Sequence, residues 1–226
     1  MRSARLLACA VLAVLLAGCG MLPGTGDEEP DDVATSSPGE PATMPSEIPS
    51  WLLECGSSDD ERDELQLSTL DLTQATWAMP AGFQRASGYV EDNPVETLHS
   101  IWVAEPADPP LPSLNVVNVV LYTDVDWGDL ADGCGRVPLA AVEEKLARYR
   151  DQIGATPMGE ATMTEVSGLP AVTQEVGLAS YDYVGYWLFS SDQLLHVYCQ
   201  WTSDSYRATI TSGCDELVAS VQVPDA

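Results

Sequence analysis

The chain has 226 residues, 45% of them hydrophobic, which is enough for one domain with a buried core. Its charge is one-sided, since 35 Asp and Glu stand against 9 Lys and Arg, for a formal net charge of −26 at pH 7. Phosphate backbones and anionic lipid headgroups repel such a surface. We therefore expect no nucleic-acid partner and no electrostatic attachment to a membrane.

The first 19 residues have the three parts of a secretory signal. Two arginines make a positive start, residues 6–16 form an apolar run of eleven, and small residues lead to Cys19. The run of eleven gives only about 16 Å of helix, too short to cross a hydrocarbon core of about 30 Å. The sequence LAGC at 16–19 resembles a bacterial lipoprotein lipobox. The alternative is a plain secretory signal that ends in a chance cysteine.

The lipobox resemblance implies removal of residues 1–18, a diacylglycerol on Cys19 and acylation of the new N-terminus, as with palmitate. Two or more acyl chains give stable anchoring. We therefore expect the protein at the extracytoplasmic face of the cell membrane, held there by the acyl chains on Cys19. Residues 19–54 are rich in proline and acids and contain no Lys or Arg, which predicts a disordered tether. Residues 55–226 are then one globular domain.

Four cysteines remain beyond the lipobox. In an exported chain they predict two disulfides, with three connectivities open, and no C-x-x-C spacing suggests zinc or redox work. Cys199 lies in a strand pattern and Cys214 in the next helix pattern, and a separation of fifteen residues lets that helix fold back onto its strand. We therefore predict the pairs Cys199–Cys214 and Cys55–Cys134.

Two strands are predicted before the middle of the chain. Residues 98–104 fit a strand, and the β-branched NVVNVVLYT at 115–123 predicts one strongly. The Asp- and Gly-rich DVDWGDLADGCG that follows is similar to a calcium loop. However, Asp129 stands where that loop needs glycine, and Gly135 stands where it needs a bidentate glutamate. We interpret it as a solvated turn and predict no metal site.

A helix over 138–153 is predicted next, because Pro138 suits a first helical position and Gly154 a helix end. A second helix is predicted over 205–220. Between the helices four antiparallel strands are predicted, at 162–166, 171–178, 183–189 and 194–201. This order predicts an α+β fold, an antiparallel sheet with helices packed on it. The apolar face of the first helix consists of Leu139, Val142, Leu146, Tyr149 and Ile153.

Four segments carry a family resemblance: WAMPAGF at 77–83, VSGLPAV at 166–172, YVGYWLFSSDQLLHVYCQW at 183–201 and ATITSGCDELVASVQV at 208–223. With the order of elements, they resemble the PsbP-like fold, and particularly the LpqN-type lipoproteins of actinobacteria. The resemblance implies a PsbP-like sandwich. It also implies a non-catalytic binding or accessory module of the cell envelope, without naming a ligand.

No catalytic motif contradicts that expectation. The sequence has no G-x-S-x-G elbow, and His99 and His196 lie apart in strand patterns, so we predict neither an enzyme nor a cofactor. The alternative is an envelope-polymer hydrolase that uses paired carboxylates, because acids are abundant enough for such a pair.

The segment 183–201 predicts a hairpin with Ser191 and Asp192 at its tip. One face is uniformly apolar and holds Cys199, which predicts a core face. On the other face, Gly185 lies opposite an aromatic residue and leaves a gap. We predict a binding patch there, for an envelope protein or a small ligand; the alternative is that the helix at 138–153 covers it as a second core layer. The patch consists of Tyr183, Trp187, His196 and Tyr198.

Overall fold

The computed structural model describes residues 63–225, which form two α-helices and ten strands. The predicted signal peptide, Cys19, the tether and Cys55 lie outside the described residues. The elements are β1 (Glu64–Gln66), β2 (Phe83–Arg85), β3 (Thr97–Pro106), β4 (Val116–Thr123), β5 (Arg136–Pro138), α1 (Leu139–Ile153), β6 (Thr156–Pro157), β7 (Thr162–Val166), β8 (Leu169–Gly177), β9 (Asp182–Phe189), β10 (Gln193–Trp201) and α2 (Asp204–Ser220).

The main sheet of the described part has eight strands, in the order β2-β3-β4-β10-β9-β8-β6, with β7 also paired to β8. Neighbouring strands are antiparallel throughout. β1 and β5 form a separate two-stranded ribbon. An antiparallel sheet with two helices packed on it confirms the predicted α+β class.

The two helices cover opposite faces of the sheet, here called the α1 face and the α2 face. In β4, Val120 and Tyr122 belong to the cluster under α1, whereas Val119 and Leu121 belong to the cluster under α2. Side chains alternate between the faces of a strand, so a central strand that is covered on both sides must be apolar at successive positions. This explains the apolar run at 115–123.

α1 forms because its apolar residues recur at helical spacing and both of its ends are defined. Pro138 is the residue before the helix and ends β5, so the helix begins one residue later than predicted. Gly154 adopts a left-handed φ of 70°, and its N–H bonds back to carbonyls of the last turn. Val142, Leu146 and Tyr149 are buried against the sheet, which confirms the predicted apolar face.

α2 begins after Ser203, whose hydroxyl accepts a hydrogen bond from the N–H of Ser205 at 3.3 Å. A disulfide joins Cys199 of β10 to Cys214 of α2, with Cα atoms 5.8 Å apart, and confirms this predicted pair. Cys134 is also disulfide-bonded, and its pairing with Cys55 stays a prediction because Cys55 lies outside the described residues.

The sequence reading missed the short strands β1, β2, β5 and β6, which have two or three residues each and therefore show no periodicity. The loop at 124–135 contains turns, as interpreted, but it is solvated only in part, because Val125 and Trp127 are buried in the core under α1. Asp126 accepts a hydrogen bond from the N–H of Gly128, and Asp132 accepts two from the N–H groups of Cys134 and Arg136. Within 63–225 there is no group of three His, Cys, Asp or Glu side chains placed to hold a metal ion. Neither helix of that range has the length and apolar character needed to cross a bilayer.

Candidate ligand cavity

A cavity of about 370 Å³ lies between α1 and the sheet. Its floor comes from β4, β9 and β10, and one wall comes from α1. Two loops, together with Leu114 ahead of β4, complete it: residues 86–96, which join β2 to β3 and are called the mouth loop, and residues 178–181, which join β8 to β9. Val90 and Ser180, one on each loop, are exposed and line the cavity, so the opening lies between the loops.

Aromatic rings form a large part of the cavity wall. Six of the eight tyrosines of the chain line it, together with one tryptophan and one histidine, all within the described part. These rings come from both loops, from α1 and from three strands of the sheet. They are Tyr89, Tyr122, Tyr149, Tyr181, Tyr183, Tyr198, Trp187 and His196.

All four residues of the predicted patch are among them, but the patch is not an open surface. Trp187 is 3% exposed and His196 7%, because α1 covers this face. These side chains therefore form a second core layer under α1, which was the alternative to an exposed binding patch. The cover is incomplete, and the cavity remains beneath it. Whether the patch binds a ligand stays a prediction.

The register of the hairpin is the predicted one, with Trp187 opposite His196 and Gly185 opposite Tyr198. The predicted gap over Gly185 is filled, because the indole of Trp187 lies where a Cβ on Gly185 would be. The His196 ring stacks on that indole at 4.8 Å between centroids and 15° between planes, and it contacts the Tyr198 ring at 4.9 Å. A glycine is required because the tryptophan folds over it.

His196 is the polar group of the wall that lacks a partner. Its Nε2 is fully buried and makes no hydrogen bond to any described residue. Burial lowers its pKa to about 3, so the imidazole is neutral at ordinary pH. A neutral imidazole carries one N–H donor and one acceptor nitrogen, and leaving such a group unsatisfied costs about 1–3 kcal/mol.

Two carboxylates and one guanidinium also line the cavity. Glu91 and Asp92 are adjacent on the mouth loop, and Glu91 Oε2 accepts a hydrogen bond from the Tyr198 hydroxyl at 3.3 Å. Burial raises the pKa of the Glu91 carboxyl above its ordinary value. Arg150 extends from α1, and its Nη1 donates to Oε1 of Gln174 at 2.6 Å. The site therefore combines flat apolar rings with a few fixed polar groups.

A buried ion pair ties the mouth loop to α1. Nζ of Lys145, which is 3% exposed, donates to Oε1 of Glu96 at 3.1 Å, and the hydroxyl of Tyr149 donates to the same oxygen. Lys145 also lies over the Trp127 ring at 4.8 Å. A second link comes from Asn93, whose amide donates to the carbonyl of Gln152 at 2.8 Å. The loop is thereby held in place over the cavity.

Sequence reasoning missed Glu91 and Arg150. Arg150 did carry a signal, because it lies four residues after Leu146 and three before Ile153, on the apolar face of the helix. A charged residue in that position is a candidate for a buried role. Glu91 carried no such signal in the sequence, since the mouth loop has no periodic pattern.

No protein-family model matches the chain, and no curated protein matches it. Among solved structures it is similar to the solution structure of cyanobacterial PsbP (CyanoP) from Synechocystis sp. PCC 6803, with 12% identity and a TM-score of 0.44 over 76% of this chain and 99% of that one. It is also similar to a crystal structure from Bacteroides thetaiotaomicron VPI-5482, with 7% identity and a TM-score of 0.38 over 72% of this chain and 48% of that one. The α+β class rests on the strands and helices themselves.

Proposed function

We propose that this protein is a non-catalytic binding module of the cell envelope and that the cavity under α1 takes a small ligand. The aromatic cavity with the unpartnered His196 carries the proposal. Small-molecule sites are typically concave, of about 300–1,000 Å³, lined by apolar and aromatic groups with a few fixed polar ones. This cavity has that volume and that lining.

The unfavourable features of the cavity support a ligand. An unfilled space inside a core forfeits packing, and a buried nitrogen without a partner forfeits a hydrogen bond. The α1 face contains both an unfilled space and a buried nitrogen without a partner, whereas a tightly packed helix would leave neither. A ligand that fills the space offsets the packing cost, whereas Nε2 of His196 lies fully buried behind the cavity wall.

A calorimetric titration tests the binding function. We expect naphthalene-2-carboxamide, a flat uncharged probe, to bind the purified protein with a dissociation constant below about 1 mM. Ser180→Trp places a large ring at the opening and should abolish binding. Ala179→Trp adds the same ring to the neighbouring exposed residue, which does not line the cavity, and should bind normally. Equal binding by both variants would contradict the proposal.

We also propose that the protein is exported and held at the extracytoplasmic face of the cell membrane by acyl chains on Cys19. The signal-like start and the LAGC sequence support this, and so does the Cys199–Cys214 disulfide, since disulfides persist in oxidising compartments. Cell fractionation tests it. Cys19→Ala should release the protein from the membrane fraction, and a variant that stays bound to the same extent would refute the anchor.

The competing function is an envelope-polymer hydrolase with paired carboxylates. Glycoside hydrolysis places two carboxyl groups on either side of the bond to be cut. The two carboxylates that line this cavity, Glu91 and Asp92, are consecutive residues of one loop, which favours binding over that chemistry. A screen of the purified protein against glycans and esters tests the point. Turnover that disappears in Glu91→Gln would favour the hydrolase.

A further inference from the structure

We propose that the ligand of this cavity is a small organic acid with a flat apolar body, and that Arg150 binds its carboxylate. The inference rests on the proposed binding function and assigns the chemical class of the ligand. It begins from a guanidinium that lines the cavity without an acidic partner.

Arg150 differs from the other basic residues of the described part. No carboxylate lies within 4 Å of its guanidinium there, and its side-chain partner is the neutral amide of Gln174. Arg85 lies over the Trp102 ring at 5.3 Å. In a chain with 35 acids and 9 bases, an arginine that faces a cavity without a carboxylate is exceptional. The ion-paired basic residues are Arg136, Lys145, Arg148 and Arg207.

Gln174 holds the guanidinium in place and leaves its charge uncancelled. Gln174 is 6% exposed; its Oε1 accepts from Arg150 Nη1 at 2.6 Å, and its own amide donates to the Gly159 carbonyl at 2.8 Å. A guanidinium has five N–H donors in a planar fork that matches a carboxylate with two parallel hydrogen bonds. One donor is used on Gln174, and the fixed fork retains others for a ligand.

The charge of the whole protein explains why a local cation is needed. A net charge of −26 repels an anion at long range, so an acid can bind only where a fixed positive group outweighs that repulsion at short range. The Glu91 carboxyl, also in the wall, is already engaged by the Tyr198 hydroxyl, which donates to its Oε2 at 3.3 Å, and burial raises its pKa. Asp92, beside it, is exposed to solvent.

The rest of the wall determines the body of the ligand. Tyr183 and Tyr198 pack at 5.5 Å between centroids, and with the stacked pair of Trp187 and His196 they present a continuous aromatic surface. Rings favour flat partners in offset-stacked or edge-to-face contact. A flat conjugated body with one carboxylate satisfies both the rings and Arg150.

Three probes with the same ring test the inference by calorimetry: naphthalene-2-carboxylate, naphthalene-2-carboxamide and 2-naphthylmethylammonium. The carboxylate should bind about 10- to 100-fold more tightly than the carboxamide, as a charge-assisted hydrogen bond is worth more than a neutral one. The ammonium should bind most weakly, since Arg150 repels it.

The variants then assign the effect to a residue. Arg150→Gln should remove the preference for the carboxylate and leave carboxamide binding unchanged, and Arg150→Lys should keep part of the preference. Arg148→Gln is the matched control, two residues away on α1, exposed and paired with Glu144. It should bind all three probes like the wild type.

The outcomes separate the two proposals. If the carboxamide or the ammonium binds the wild-type protein as tightly as the carboxylate, the ligand class is wrong and the binding module stands. The same holds if Arg150→Gln weakens all three probes equally. If no probe binds the wild-type protein, the proposed function itself fails. The comparison of probes on the wild-type protein needs no variant to fold.

Discussion

The two faces of the sheet are built from the same strands but to different ends. Under α2 the layer is almost wholly apolar and is closed by the Cys199–Cys214 disulfide. Under α1 the layer holds a buried lysine, an unpartnered histidine and an arginine that pairs only with an amide, around a cavity of about 370 Å³. One face stabilises the fold, and the other gives up stability for polar groups and space.

The contrast shows how to recognise a functional face in a protein with no catalytic motif. Protein interiors are close-packed, and polar groups inside them are normally satisfied. The α1 face departs from both rules around one aromatic cavity, and this combination identifies where the sequence serves something besides folding.

The largest loss of stability is expected when the ion pair between Lys145 and Glu96 on the α1 face is broken. Lys145→Met removes the charge that Glu96 faces in a buried setting, and leaving one member of such a pair alone costs about 3–5 kcal/mol. Urea denaturation should show that loss in the free energy of unfolding. A separate measurement of amide hydrogen exchange should show faster exchange in the mouth loop of the variant, because the ion pair holds that loop to α1.

The double variant Lys145→Met with Glu96→Leu is the control for this prediction. It removes both charges, so it should recover much of the stability that the single variant loses. A double variant as unstable as the single one would mean that the packing of the lysine stem, and not the pair, matters.

A smaller effect is expected on the α2 face. The disulfide closes a loop with a sequence separation of 15, and replacing both Cys199 and Cys214 with Ala should cost about 3 kcal/mol of unfolding free energy. Carboxamide binding, measured by calorimetry, should not change, because the bond lies on the face opposite the cavity. A large loss of affinity in a protein that remains folded would show that the faces are coupled.

The effect that is smallest near neutral pH, and grows as the pH falls, sharpens the comparison further. Below the ordinary histidine pKa of 6.5 the unfolded chain takes up a proton on His196, whereas the folded protein stays neutral there down to about 3. Between these values the free energy of unfolding should fall by up to about 1.4 kcal/mol per pH unit through this group, and above them the group has no effect.

His196→Phe keeps a ring and removes that proton site. Urea denaturation from pH 7 to pH 4 should therefore show a shallower loss of stability in His196→Phe than in the wild type. His99→Phe, on an exposed residue of β3, is the control and should follow the wild type. Parallel curves for all three proteins would contradict the buried state of His196.

The sequence predicted the elements whose patterns are periodic or whose ends are marked. The apolar spacing of α1, the β-branched run of β4 and the alternation along β9 and β10 all gave the observed elements. The separation of Cys199 and Cys214 gave the disulfide. Each of these signals is local, so it can be recognised within about twenty residues of chain.

The cavity needed information that no local pattern contains. The four patch residues were found because they alternate along one hairpin, but their burial depends on α1, which precedes them by some thirty residues. Glu91 reaches the cavity from an irregular loop. Arg150 reaches it from α1, which the sequence analysis considered only as a cover for the patch. The gap over Gly185 was also misjudged, since a neighbour on the same strand, Trp187, fills it.

The alternation along β10 has a consequence for how such a protein can change. The odd-numbered residues 195–201 belong to the layer under α2, and the even-numbered residues 194–200 lie on the side of the cavity. Selection can therefore act on one set without disturbing the other. Descendants of this sequence can acquire new ligands at even-numbered positions while they inherit the fold through the odd-numbered ones.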